Sequence, residues 1–312
     1  MAESGHDEKA PVKGLLGRSL SRRRFLGVGA AAVGAALAKW KMSSLDAQLA
    51  AAALRASRKV EASKAEPKKE SPRNDFEEKF FHNLTSDEKG TVDEKIERMK
   101  GNFDDHIGRC ERNSQDESEI IQATQRYEIP RELLIGLIFA ESGGDRVAVS
   151  EDAKAKGLTQ VMDSMAESWA QDRIFNYTND ENDDRYNVPR VLEYSCREIA
   201  GYFEKFGDWG LAFWAWHAGE PRVFEALRVY FKGELPSINV LEGNTPEEKE
   251  EAFKKAMEVR KLYKKKIRES GVCVHHLLST PEVREIFKGE EWDKTDEYCY
   301  RIAAGAGIYF GR

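Results

Sequence analysis

The chain has no excess of basic charge and few histidines and cysteines, with 6 His and 4 Cys. Its 312 residues carry 49 Lys and Arg against 55 Asp and Glu, a formal net charge of −6. Nucleic-acid-binding surfaces are normally basic, so this balance argues against that function. No CxxC pair occurs, and His275 and His276 have no local partners at ligand spacing, which argues against a zinc site. The acidic run at 179–187 lacks the Gly and distal Glu of an EF-hand, so we interpret it as a solvated loop.

Patterns typical of β-strands, internal repeats and long hydrophobic runs are also scarce. No stretch alternates convincingly between apolar and polar residues. Apolar residues instead recur at helical spacing, for example at Ile120, Ile121 and Tyr127. We therefore predict an all-α or nearly all-α fold.

The N-terminus contains a short apolar run preceded by arginines. The segment Ser21-Arg22-Arg23-Arg24-Phe25-Leu26 comes before apolar residues 27–37, and the tripeptide Ala36-Leu37-Ala38 stands at the end of this run. The pattern resembles a twin-arginine export signal with a cleavage site after Ala38. The run is too short and too rich in glycine for a comfortable membrane span. We predict a periplasmic or otherwise exported protein, with an uncleaved membrane anchor as the alternative.

Export makes the four cysteines relevant, because an oxidising compartment permits disulfides. Cys110, Cys196, Cys273 and Cys299 are even in number and far apart, so two bridges in any of three pairings are compatible with the sequence. Buried thiols are the alternative, since cysteine is commonly buried without pairing.

Composition divides the chain into three parts. Residues 1–38 form the predicted signal, and residues 39–116 are low in aromatics and dense in Lys, Glu, Asp and Ser. We interpret residues 39–116 as a polar, partly disordered stalk with short helices and no catalytic content. The globular part is predicted over 117–312, with an unassigned helical insertion at about 233–291.

A single carboxylate follows an almost purely apolar helix in the segment IPRELLIGLIFAESGGD. Glu141 comes directly after the apolar residues 133–140 and is followed by Gly143 and Gly144. Burial and the negative end of the helix dipole would both raise the pKa of this acid. A carboxyl group protonated near neutral pH is what a general acid for glycosidic cleavage requires. The simpler interpretation is a solvated helix end.

Four segments resemble, in order and spacing, the motifs of soluble lytic transglycosylases. They are IPRELLIGLIFAESGGDRVAVS, KGLTQVM, WGLAFWAWHAGEPRVFEAL and, at the end of the chain, TDEYCYRIAAGAGIY. The resemblance covers about residues 118–232 and 292–310. It implies a lysozyme-like helical domain that cleaves the MurNAc–GlcNAc β-1,4 bond of peptidoglycan without a cofactor.

The resemblance also assigns roles to individual residues. Glu141 matches the catalytic glutamate, which protonates the glycosidic oxygen and then deprotonates the muramoyl 6-hydroxyl to yield a 1,6-anhydro end. Ser150 matches a serine near that acid, and Gln160 and Met162 match positions that line the sugar cleft. Taken alone, Ser150 is equally compatible with a turn or helix cap, and Met162 with core packing.

The sequence departs from the family pattern at several positions. Trp216-His217-Ala218-Gly219 stands where Tyr-Asn-Ala-Gly is usual, and Gly144 stands where an aromatic is frequent. We expect Trp216 to stack on a sugar ring and to orient Glu141 less directly than a tyrosine would. His217 is predicted to make a second polar contact in the cleft.

Two other functions remain open at this point. A hydrolytic muramidase or chitinase-like enzyme usually needs a second carboxylate, for which Asp145, Asp152 and Asp163 are the nearby candidates. A non-catalytic wall-binding or scaffolding protein is suggested by the changes at Trp216 and His217. In all three cases the expected partner is the peptidoglycan glycan strand rather than nucleic acid, and envelope protein partners stay open.

Overall fold

The computed structural model describes residues 75–150, 154–171, 175–178, 180–238, 245–287 and 292–311. These residues belong to one compact unit, Glu70–Arg312. The predicted export signal lies outside the described residues. None of the described helices is both long enough and apolar enough to cross a membrane.

The described residues form thirteen α-helices and one short 3₁₀ helix, Asp184–Tyr186. In chain order the α-helices are α1 (Asp75–Phe80), α2 (Ser86–Gly101), α3 (His106–Gln115), α4 (Glu117–Tyr127), α5 (Arg131–Glu141), α6 (Asp163–Ala170), α7 (Val188–Phe206), α8 (Trp209–Ala218), α9 (Glu220–Tyr230), α10 (Pro246–Ser270), α11 (Val274–Ser279), α12 (Pro281–Ile286) and α13 (Trp292–Phe310). Extended pairing within the described ranges is limited to isolated bridges between Val149 and Lys156 and between Lys156 and Val161. The predicted all-α fold is confirmed.

The most apolar helix, α5, forms the centre of the core. Every residue from Leu133 to Ala140 is buried. The last helix, α13, crosses it closely at two glycines: a Cβ at Gly136 would lie 2.2 Å from the Ile302 carbonyl oxygen, and one at Gly305 would lie 2.8 Å from the Cβ of Phe139. Because neither glycine has a side chain, the two helices can approach closely at these positions. This contact places α13 beside the C-terminal turn of α5.

The stretch predicted as a stalk is partly folded. Its described portion, residues 75–116, forms α1, α2 and α3, and α2 packs on α13. Val92, Ile96 and Met99 are buried at helical spacing in a sequence that is otherwise mostly charged. Three apolar residues per sixteen-residue helix are enough to attach it to a larger body, although they hardly change the local composition. The structure thus places folded helices well before residue 117, and residues 39–74 lie outside the described part.

The predicted insertion at 233–291 is helical where it is described. Helix α10 begins with a capping box between Thr245 and Glu248 and ends at Gly271, whose φ of +65° suits glycine. Only its second half attaches to the body, through the buried side chains of Tyr263 and Ile267. The first half is mostly exposed, as its alternating charges predict.

All four cysteines are buried, and none forms a disulfide within the described residues. Burial raises the pKa of the Cys273 thiol to about 12, so this thiol stays protonated at neutral pH. The structure thus favours the buried-thiol alternative over the two bridges.

Candidate active site

Glu141 is the last residue of α5 and is partly buried. The hydroxyl of Tyr298, on α13, donates a hydrogen bond of 2.5 Å to its Oε1. One turn further along α13, an Nη2–H group of Arg301 points at the Ala140 carbonyl oxygen, 3.4 Å away. The close crossing of α5 and α13 therefore brings a hydroxyl and a guanidinium to the catalytic candidate.

The surroundings of Glu141 raise its pKa from 4.5 to about 7. Burial is the main cause, while the hydrogen bond from Tyr298 and the charge of Arg301 lower the pKa. The acid is therefore poised between its two protonation states near neutral pH. Burial and the adjacent carboxylate raise the pKa of Tyr298 well above its ordinary value, so its hydroxyl remains a donor.

The chain turns sharply after Glu141 because two glycines adopt left-handed conformations. Gly143 and Gly144 have φ of +64° and +81°. The Ser142 hydroxyl donates to the Leu158 carbonyl at 2.7 Å, and the Gly144 N–H donates back to that hydroxyl. These bonds join the end of α5 to the turn at 157–160, which forms the next part of the site.

Gln160 shapes this second turn with its own side chain. Its amide group donates to the Gly157 carbonyl at 2.9 Å and to the Ala148 carbonyl at 3.2 Å. The backbone of Gln160 has φ +51°, which is uncommon outside glycine and which these bonds help to hold. Gly157 has φ +77°, and a Cβ there would lie 1.8 Å from the Arg185 carbonyl oxygen. Gln160, predicted to line the sugar cleft, thus stabilises the turn at 157–160, which we call the wall.

Met162 and Ser150 lie on the small structure formed by the isolated bridges. Met162 is 51% exposed, so it is not a core residue. Val149 is also exposed, at 54%. The Ser150 N–H donates to the Ala155 carbonyl at 2.9 Å. Exposed apolar side chains here give the segment after Glu141 a surface that can contact a sugar face.

Trp216 and His217, at the end of α8, have different surroundings. Trp216 is 8% exposed and packs beside Trp169 with ring centroids 6.5 Å apart. His217 is exposed and stacks on Tyr298, with centroids 4.1 Å apart and the rings 12° from parallel. The hydroxyl that reaches Glu141 comes from Tyr298, so Trp216 is not needed to supply that donor.

Comparison with protein-family models identifies this region. Residues 118–234 match the model of the Transglycosylase SLT domain. The chain contains an SLT domain. No curated protein matches the chain. At the family level the activity of an SLT domain is transglycosylase cleavage of glycosidic bonds in peptidoglycan.

The matched SLT residues include Glu141 and all five predicted substrate-binding residues but not α13. Tyr298 and Arg301 are therefore contributed from outside the match. Neither residue was among the predicted site residues, although the last segment of the family resemblance contains both. The resemblance of this last segment could have pointed to a donor for Glu141. The segment contains tyrosines at 298, 300 and 309, however, and nothing in the local sequence indicates which of them faces α5.

The candidate second carboxylates of the SLT domain are engaged elsewhere. Asp163 accepts a hydrogen bond of 2.6 Å from Arg185, and Asp145 accepts one of 2.9 Å from the Val147 N–H. Asp152 lies outside the described residues. Each of the two described candidates thus has a hydrogen-bond donor other than Glu141 as its partner.

The described part of the acidic run, residues 180–187, contains buried charged residues and is not wholly a solvated loop. Asp183 and Arg185 are both fully buried and form an ion pair 2.7 Å long. Arg185 also donates to the Val161 carbonyl and to Asp163, so this pair supports the wall that carries Gln160 and Met162. Composition could not reveal this, because a buried charged pair has the same residue types as a hydrated surface.

Proposed function

We propose that this protein is an exported lytic transglycosylase that cleaves the MurNAc–GlcNAc β-1,4 bond of peptidoglycan and leaves 1,6-anhydro-muramoyl ends. The observation that carries the proposal is the position of Glu141 at the end of the buried helix α5, where it accepts the hydrogen bond from Tyr298 and where burial raises its pKa to about 7. The SLT match supports the reaction class. The sequence pattern at 1–38, predicted to be an export signal, supports a periplasmic or other extracytoplasmic site of action.

Glu141 performs two proton transfers in this mechanism. Its protonated carboxyl donates to the bridging glycosidic oxygen while the bond from C1 to that oxygen breaks. The resulting carboxylate then takes the proton of the muramoyl 6-hydroxyl, whose oxygen forms a bond with C1. The proton lost in the first transfer is regained in the second, so neither water nor a cofactor is consumed. A pKa near 7 suits both transfers, since it favours neither state strongly at neutral pH.

Tyr298 and Arg301 lower the pKa of Glu141 against the effect of burial. Burial alone favours the neutral acid, while the Tyr298 hydrogen bond and the Arg301 charge favour the carboxylate. Both states are therefore accessible during one turnover. Because the Tyr298 hydroxyl stays protonated, it also keeps one carboxyl oxygen engaged and leaves the other available to the glycan.

The remaining predicted residues have complementary roles in the proposed cleft. Met162 and His217 are exposed and are proposed to contact sugar rings. Gln160 holds the turn of the wall, and Ser150 is proposed to donate a hydrogen bond to the N-acetyl group or to the intermediate. Trp216, being nearly buried, is proposed to support the cleft from below.

Digestion of purified sacculi tests the proposal. The mature protein and Glu141→Gln are incubated with sacculi, and the released muropeptides are analysed by mass spectrometry. We expect 1,6-anhydro ends from the unaltered protein and none from the variant. Reducing ends would indicate the hydrolytic alternative, and binding without release would indicate the non-catalytic one. Equal release by both proteins would remove Glu141 from the mechanism.

A further inference from the structure

Helix α3 lies outside the SLT match but contacts the backbone on both sides of Glu141. Arg109 Nη1 donates to the Phe139 carbonyl at 2.8 Å, and Arg112 Nε donates to the Gly143 carbonyl at 2.9 Å. Phe139 and Gly143 are each two residues from Glu141. Carbonyls at a helix C-terminus lack partners within the helix, so these guanidinium groups satisfy acceptors that would otherwise need water or a cap.

The close approach of α3 depends on the missing side chain at position 144. A Cβ on Gly144 would lie 2.5 Å from the Asn113 Oδ1 and 2.9 Å from the Arg112 Cβ. Asn113 is fully buried at this contact. Helix α3 thus occupies the space that a side chain at 144 would require, and this allows its arginines to reach the carbonyls around the acid.

Arg109 is held at this position by rings as well as by its hydrogen bond. Its guanidinium carbon lies 5.3 Å from the centre of the Phe103 ring and 5.7 Å from that of Phe139. Burial lowers the pKa of Arg109, and nearby Arg112 and Arg301 lower it further. Burying the positive charge of Arg109 next to other arginines lowers the stability of the folded protein. Its hydrogen bond to the C-terminal end of α5 must offset this loss.

We propose that Arg109 and Arg112 are positioning residues that fix the direction of the Glu141 carboxyl by anchoring the carbonyls on either side of it. The proposal rests on the proposed catalytic function of Glu141. Tyr298 contacts one carboxyl oxygen, but it cannot hold the backbone from which the side chain extends. The two arginines supply that restraint, and an SLT domain without α3 would lack it.

The test compares kcat and KM in the full chain, with soluble uncross-linked glycan strands as substrate. We expect Arg109→Gln to lower kcat about ten- to one hundred-fold with little change in KM, because misplacement of a catalytic group by about 1 Å can cost about 100-fold. Arg109→Lys should recover part of the loss, since an ammonium group can donate to the same carbonyl. Arg126→Gln removes an exposed arginine on α4 and should change neither parameter.

A structural role alone is separated from positioning by two further readouts. Circular dichroism and thermal unfolding give the folded fraction, and the pH profile of kcat reports the Glu141 pKa. If Arg109 is a positioning residue, Arg109→Gln should be fully folded and have a lower kcat, and both limbs of its pH profile of kcat should stay at the same pH. A kcat that falls only in proportion to the folded fraction, or a change confined to KM, would overturn the proposal.

Gly144→Ala provides an independent variant, because its Cβ pushes on α3 without removing an arginine. We expect kcat to fall with KM retained, as for Arg109→Gln. The failure of this inference is distinguishable from failure of the proposed function. If Glu141→Gln is inactive while Arg109→Gln and Gly144→Ala keep full kcat, only the positioning role is refuted. If Glu141→Gln still produces anhydro ends, the catalytic role itself is refuted.

Discussion

Replacing Glu141 with Gln tests the burial of the acid independently of any substrate. The folded protein raises the pKa of Glu141 to about 7, whereas in the unfolded chain the pKa stays near 4.5. Between these values the folded state binds more protons than the unfolded state. The free energy of unfolding therefore falls as the pH rises through this window. The destabilisation of the folded protein by the buried, ionised carboxylate of Glu141 is absent below the lower pKa and complete above the higher pKa.

The size of this destabilisation follows from the difference in pKa. A rise of about 2.5 in the pKa of Glu141 corresponds to about 3 kcal/mol. Glutamine has no charge to bury, and its amide oxygen can still accept the hydrogen bond from Tyr298. We thus expect Glu141→Gln to be more stable than the unaltered protein by about 3 kcal/mol at about pH 8, and to have nearly equal stability at about pH 4.

Urea unfolding followed by tryptophan fluorescence at several pH values measures this difference. Glu167→Gln is the matched control, because it makes the same substitution at an exposed position on α6. A difference between Glu141→Gln and the unaltered protein that stays constant from acid to alkaline pH would mean that the Glu141 carboxyl is hydrated. Glu141 would then lack the raised pKa that a general acid needs at neutral pH.

Three further predictions follow from the contacts around the site. Tyr298→Phe removes the hydrogen bond that lowers the pKa of Glu141, so the alkaline limb of the activity profile should move to higher pH, and an unmoved limb would contradict this. Gly157→Ala should lower the free energy of unfolding by about 2 kcal/mol or more, measured by urea unfolding, because its Cβ has no space. Asp183→Asn should cost about 3 kcal/mol in the same assay by leaving Arg185 buried without its main charge partner, and a loss below about 1 kcal/mol would refute that role.

The raised pKa of Glu141 was predictable from the sequence because its main cause is local. Eight apolar residues precede the acid in one helix, and a helix with no polar face must be buried. The helix dipole was expected to raise the pKa as well. The charge of Arg301, which points at the last carbonyls of α5, instead lowers the pKa of Glu141. Burial therefore remains the largest cause.

Short helices were predicted in residues 39–116, but their packing on the globular part was not, because their apolar residues are few. Val92, Ile96 and Met99 lie among charged residues, so the composition of α2 resembles that of a linker. Helix α2 packs on α13, which lies more than 190 residues further along the chain. The narrow apolar face formed by these three residues can be interpreted only when the helix that packs on it is known.

The sequence by itself determined that the chain is helical, that Glu141 ends a buried helix, and that two glycines turn the chain directly after it. These features depend on helical periodicity, burial of apolar side chains and backbone conformation, which act between near neighbours. Only the tertiary structure decided that Tyr298 supplies the hydroxyl at Glu141 and that Arg109 and Arg112 hold the carbonyls around it. These partners are separated from the α5 turn by 157 residues on one side and about 30 on the other. Which side chains meet over such distances depends on how whole helices pack, and small residues such as Gly136, Gly144 and Gly305 decide how closely they approach.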